Sequence, residues 1–87
     1  MKLVTDLGEN EVIHCPTIEE AEAICRLMDW AGLRWNGGDS YLQENDWRTH
    51  KKNTCYRPKR GTFTELKFFK ENGYIIHKAP EFLTETK

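Results

Sequence analysis

No apolar run in this chain approaches the ~18 residues that a membrane-spanning helix needs, so a transmembrane α-helix is excluded. The opening residues, Met1-Lys2-Leu3-Val4-Thr5-Asp6, lack the long apolar region of a secretory signal. Cysteine is scarce and unpaired. Cys15, Cys25 and Cys55 are an odd number at wide spacings with no C-x-x-C pair, which argues against a disulfide framework and for small buried hydrophobes in a reducing compartment. Metal-ligand spacing is missing too. His14, Cys15, Cys25, His50, Cys55 and His77 supply ligand atoms, but the only near pairs are His14-Cys15 and His50 with Cys55, unlike the C-x₂₋₄-C or H-x₃₋₅-H pairs of zinc sites. Asn36-Gly37-Gly38-Asp39-Ser40 could form a backbone concavity for an anion. It lacks the lysine and the strand–loop–helix context of a phosphate-binding loop, and a simple turn is expected. Neither a metal nor a cofactor is expected.

What is present is enough for one domain spanning residues 1–87. A chain of this size buries only somewhat more than ~60% of its unfolded surface, so its core is thin, and a homodimer or a bound partner is an easy way to bury more. Glu11-Val12-Ile13-His14-Cys15 reads as a strand, β-branched at its centre and stopped by Pro16. Lys2 to Thr5 reads as an edge strand ahead of the turn-forming Asp6-Leu7-Gly8-Glu9-Asn10. Thr17-Ile18-Glu19-Glu20 is a capping box. Behind it Ala21, Ile24, Cys25, Met28 and Ala31 recur at spacings of three and four, which predicts a helix over about 18–31 closed by Gly32 at C′.

Leu33-Arg34-Trp35 alternates like a strand, and the polar stretch from Tyr41 to Lys52 has no clear pattern. Thr54-Cys55-Tyr56 and Thr62-Phe63 read as two strands joined around Pro58 and Gly61. Thr64 is placed to cap a shorter helix over about 65–72, closed by Gly73. Tyr74-Ile75-Ile76-His77 is a further strand, Ala79 to Leu83 a helical turn with Pro80 at N1, and the last four residues are expected to fray. The sum is an α+β domain: one small, mainly antiparallel sheet covered by two helices.

Charge is unevenly spread. Residues 1–46 carry three basic and ten acidic groups, whereas residues 47–87 carry ten basic and four acidic. The basic excess concentrates in Trp47–Arg60, which holds Arg48, Lys51, Lys52, Arg57, Lys59 and Arg60 and no carboxylate. Lys and Arg without opposing carboxylates favour phosphate oxygens, and Trp47 and Tyr56 could stack a base. These eight residues are the candidate binding site. The competing reading is a solvated loop whose Trp47 and Tyr56 belong to the core. Because Thr54-Cys55-Tyr56 reads as a strand, Cys55 and Tyr56 must point to opposite faces. The sharper expectation is therefore two basic loops flanking a strand.

Catalysis has weak support. Cys55 with His50 or His77, plus Asp46, is the one nucleophile–base–orienter set that can be assembled, and its spacing has nothing to recommend it; a non-enzyme is expected. Glu19, Glu20, Glu22 and Asp29 line one side of the first helix, but four carboxylates are few for nucleic-acid mimicry, and the glutamates suit the positive end of the helix dipole.

The order of features resembles a group of short accessory proteins encoded by bacteriophages and prophages, chiefly of Gram-positive bacteria. The resemblance spans residues 12–83. It rests on Cys15-Pro16-Thr17-Ile18-Glu19-Glu20-Ala21, Gly32-Leu33-Arg34-Trp35-Asn36-Gly37-Gly38, Trp47, Asn53-Thr54-Cys55-Tyr56 and Phe68-Phe69-Lys70-Glu71-Asn72-Gly73-Tyr74-Ile75-Ile76. It implies a phage accessory product in the host cytoplasm. Members with a role commonly counter host defence, by occluding a nuclease (such as a CRISPR nuclease) or by sequestering a nucleotide signal. On that reading the partner is a host defence protein or its nucleotide ligand. The alternative is a small nucleic-acid-binding module in phage replication or regulation. The resemblance carries no site residues over to this chain.

Overall fold

A computed structural model of the chain describes residues 3–83. A four-stranded sheet is built from β1 (Glu11–His14), β2 (Thr54–Arg57), β3 (Thr62–Glu65) and β4 (Ile75–Lys78). The strand order is β3-β2-β1-β4, with β1–β2 and β2–β3 antiparallel and β1–β4 parallel. The helices are α1 (Ile18–Trp30), a single turn α2 (Trp47–His50) and α3 (Leu66–Glu71). Short 3₁₀ turns lie at Val4–Asp6, Lys51–Asn53 and Ala79–Glu81. The expected α+β fold is present.

The sheet is covered on both faces. Strand period two places Ile13 beside Tyr56 on one face and Val12 and Cys55 on the other. Ile13, Cys15 and Tyr56 pack with Ala21, Ile24, Cys25 and Met28 of α1. Val12 and Cys55 pack with Phe69 of α3, flanked by Leu66, Tyr74 and Ile76. Cys55 and Tyr56 thus fill two different cores. The connection through α3 carries the chain from one edge of the sheet, β3, to the other, β4.

α1 forms where its apolar spacing predicts. Thr17 caps it, its hydroxyl accepting from the Glu20 amide at 3.2 Å and donating to the Glu20 carboxylate at 3.2 Å. The glutamate therefore binds the cap hydroxyl and not the Thr17 amide. The helix ends in a Schellman motif. The Leu33 amide donates to Met28 O at 2.9 Å and the Gly32 amide to Asp29 O at 3.0 Å, with Gly32 at φ 88°.

Three local expectations fail. Leu33-Arg34-Trp35 is not a strand. The Leu33 amide goes to the helix end, the Trp35 amide to Asp39 O at 3.0 Å, and the neighbouring Asn36 amide to Gly61 O at 3.0 Å. Thr64 does not cap α3, because it pairs with Cys55 inside β3; α3 starts one residue later than expected, after Glu65, with no side-chain cap. The expected edge strand at the N-terminus is a 3₁₀ turn over Val4–Asp6. Lys2, and the frayed segment expected over 84–87, lie outside the described residues.

Candidate functional site

The basic stretch begins on a short turn that remote backbone groups hold in place. Asp46 enters it with φ 58°, and the Trp47 amide donates to Asn45 Oδ1 at 2.9 Å, an Asx-type turn. The Trp47 indole lies against the main core and donates Nε1–H to the Cys15 carbonyl at 2.9 Å. Thr54 Oγ1 donates to Trp47 O at 3.3 Å, and His14 Nε2 donates to Lys52 O at 2.7 Å. Two of these bonds reach across the sheet end, one from His14 of β1 and one from Cys15 just after it. Trp47 is consequently an anchor, and the outward side chains of the turn are Arg48, Lys51 and Lys52, all exposed.

Lys51 stands at φ 51°, ψ −125°. That region suits glycine, and a side chain there costs on the order of 1–3 kcal/mol. Asp46 and Lys51 are the only positive-φ residues other than glycine among the described residues, and they bracket α2 on both sides.

At the far end of β2 two of the three cations, Arg57 and Arg60, are engaged. Arg57 donates Nε–H to Glu9 O at 2.7 Å and lies 5.1 Å from the Tyr74 ring centroid. Arg60 pairs with Glu9 Oε1 at 2.7 Å. The Arg60 bond and charge, helped by Arg57 and Lys59, hold the Glu9 carboxyl below its ordinary range. Lys59 is exposed and, with Pro58, walls a small cavity of about 250 Å³ beside Val4 and Leu33. The turn itself closes on Gly61 (φ 68°), where an added Cβ would lie 2.6 Å from both Arg34 O and Asn36 N.

The eight candidate residues therefore divide. Arg48, Lys51 and Lys52 gather at one end of β2, with Trp47 beneath them. Arg57, Lys59 and Arg60 gather at the other, separated by the strand's roughly 13 Å of extended backbone, so the two loops do not close on one pocket. Tyr56 is a correction to the expected site. It is fully buried, with its hydroxyl donating to Asn45 O at 2.5 Å, and presents no ring face to a ligand. Among the described residues no carboxylate lies within ion-pair distance of Arg48, Lys51 or Lys52.

The one nucleophile–base–orienter set that the sequence could offer, Cys55 with His50 or His77 and Asp46, is not brought together. Cys55 sits in the core under α3, whereas His50 packs on Phe63 and Asp46 lines a groove on the opposite face. Burial pushes the Cys25 and Cys55 thiols up to about 12, and Cys15 higher still. His77 is held between Glu11 Oε1 at 2.7 Å and Glu81 Oε1 at 3.3 Å. Among the described residues no three of His, Cys, Asp and Glu are grouped to hold a metal, and no helix is long and apolar enough to cross a membrane.

One feature has no local signature in the sequence. Trp35 and Phe63 wall an open groove of about 640 Å³ whose rim carries Asp39, Glu44 and Asp46. Burial, then the Glu44 charge, raises the Asp46 carboxyl above its ordinary value. The carboxylates are visible in the polar 39–46 stretch, but their shared rim depends on Gly61 docking against the backbone at 34–36. No family model matches the chain, and neither a curated protein nor a solved structure does.

Proposed function

We propose that this chain is a non-enzymatic accessory protein of the phage type that works by stoichiometric binding. It holds an anionic partner at the α2 end of β2 through Arg48, Lys51 and Lys52. One observation carries this reading: three cations without a carboxylate counterpart among the described residues stand on a turn whose backbone is strained at both margins and fastened by its indole to Cys15 and by His14 to β1. Strain of this kind persists only where the surroundings over-determine it, and it collects at binding and switch regions. Fixing the backbone in advance lowers the ordering cost when a partner docks. In the host cytoplasm the partner is a defence protein with an acidic surface, or the nucleotide signal that such a protein reads.

The experiment is a pull-down from defence-expressing cells with the wild-type chain and with the Arg48→Ala, Lys51→Ala, Lys52→Ala triple variant, followed by mass spectrometry of proteins and bound nucleotides. The wild type should retain a partner that the triple variant loses. Equal recovery by both would remove the site. A nucleic-acid partner would announce itself by binding that collapses between low and moderate salt in proportion to the phosphates contacted.

A further inference from the structure

α1 turns its apolar face inward, yet its last residue is a tryptophan that is 87% exposed. Beside it Leu42 is 61% exposed, and with Ala23, Leu27 and Leu83 these residues line a shallow apolar depression of about 530 Å³. The depression is built, not accidental. Asp29 Oδ1 accepts from Ser40 Oγ at 2.9 Å and from Arg34 at 2.6 Å, and Ser40 Oγ accepts from the Leu42 amide at 3.0 Å. One carboxylate thus fastens the 40–42 segment to the end of α1 and fixes Leu42 next to Trp30. An isolated exposed leucine means nothing, but an apolar depression that gathers an exposed tryptophan and an exposed leucine, with Arg26 and Asp29 also in its lining, marks an interaction surface.

We infer that this patch is the interface of a twofold dimer, its occupant a second copy of this chain packed α1 against α1 in antiparallel fashion. Size is the first argument. A specific interface removes at least ~500 Å² from each partner, about a tenth of this chain's 5322 Å². A buried tryptophan supplies about 200 Å² of that, and one helix face with Leu42 and Leu83 supplies the remainder.

Self-complementarity is the second. A twofold axis requires the same patch to receive itself. Ala23 stands seven residues before Trp30 on the same side of α1 and is small enough to seat an indole. An axis passing between Ala23 and Leu27 lays Trp30 of each copy toward Ala23 of the other.

Charge is the third. Glu22 and Arg26 flank the patch, both exposed, and neither forms an ion pair among the described residues. The antiparallel arrangement brings Glu22 of one copy against Arg26 of the other, twice by symmetry. Dimerisation also answers the thin core that a chain of this length can build.

Light scattering or sedimentation over roughly 1–500 µM, the range in which small interfaces dissociate, tests the inference. The wild type should move from 10.3 kDa toward twice that mass. Trp30→Glu should stay monomeric throughout, with an unchanged circular dichroism spectrum because the side chain is outside the core. Leu42→Glu repeats the test should the first variant fold poorly. Glu22→Arg should weaken assembly, and Glu22→Arg combined with Arg26→Glu should restore it. A wild type that remains at 10.3 kDa, a Trp30→Glu variant with an unshifted midpoint, or a charge swap that restores nothing overturns the dimer. So does a monomeric wild type whose Trp30→Glu variant loses a cellular partner, since a different protein would then cover the patch.

Discussion

The two ends of β2 carry three cations each and use them differently. At the Pro58 end, Arg57 and Arg60 are spent on Glu9 and Tyr74, so charge there closes a turn. At the α2 end the backbone is held by Trp47 and His14, and the charges of Arg48, Lys51 and Lys52 meet no carboxylate among the described residues. Similar residue types thus serve stability where they find partners inside the fold. Where the backbone is fixed without them, their charges stand without a carboxylate among the described residues, which is what the proposed binding role rests on.

The largest effect that separates the ends is on binding. Removing Arg48, Lys51 and Lys52 together should weaken partner binding by roughly 100-fold or more, since charge-assisted hydrogen bonds are worth ~1.5–3 kcal/mol each. The melting temperature should stay put. Gly61→Ala probes the closed end. Its Cβ would meet backbone, not a yielding side chain, at a positive φ, so a loss of about 3 kcal/mol or more in urea unfolding is expected. A loss below ~1 kcal/mol would mean that the 34–36 segment can retreat.

The strand between the ends can be tested by pH. Burial raises the Cys55 and Cys25 thiols to about 12, above the ~8.5 of an unfolded cysteine. The folded state therefore keeps protons that the unfolded state gives up. The stabilisation is complete below pH ~8.5 and is lost as pH rises toward 12, by up to ~1.4 kcal/mol per thiol per pH unit. Urea midpoints should drop between pH 7.5 and pH 10, and thiol reagents at pH 8 should label the denatured chain and spare the native one. Rapid labelling of Cys55 in native protein would contradict a rigid separator. The smallest effect is Lys51→Gly. Relief at φ 51° should add about 1 kcal/mol of stability while weakening binding, and a destabilised glycine variant would remove the strain argument.

Local grammar made much of the fold legible. The Thr17 cap, the helix face and both terminal glycines are where their residue types belong. Gly73 repeats the Schellman geometry of Gly32, with the Tyr74 amide on Phe69 O at 3.0 Å. The segments after the two glycines differ for a reason no local pattern holds. Ile75-Ile76 meets the open edge of β1 and begins β4, whereas the Leu33 amide closes the end of α1, the Trp35 amide goes to Asp39 O, and the neighbouring Asn36 amide reaches the turn at Gly61. Thr64 has the chemistry of a cap, but its pairing with Cys55 prevailed. The turn at Trp47–His50 was illegible because partners far along the chain fix it: Cys15, 32 residues away from Trp47, and His14, 38 away from Lys52.

The basic stretch stood out by composition. Which of its cations remain available did not, because Glu9 lies 48 and 51 residues from the arginines it engages. Burial of Tyr56 was open to the same ambiguity, since strand alternation gives opposite faces for Cys55 and Tyr56 without saying that both are covered.

One measurement tests the division of labour most directly: partner affinity and melting temperature, side by side, for the wild type, the Arg48/Lys51/Lys52 triple alanine variant and the Arg57→Ala, Arg60→Ala double variant. The triple variant should lose the partner and melt like the wild type, and the double variant should melt earlier and keep the partner. A double variant that loses binding without losing stability, beside a triple variant that still binds, would put the site at the wrong end of the strand.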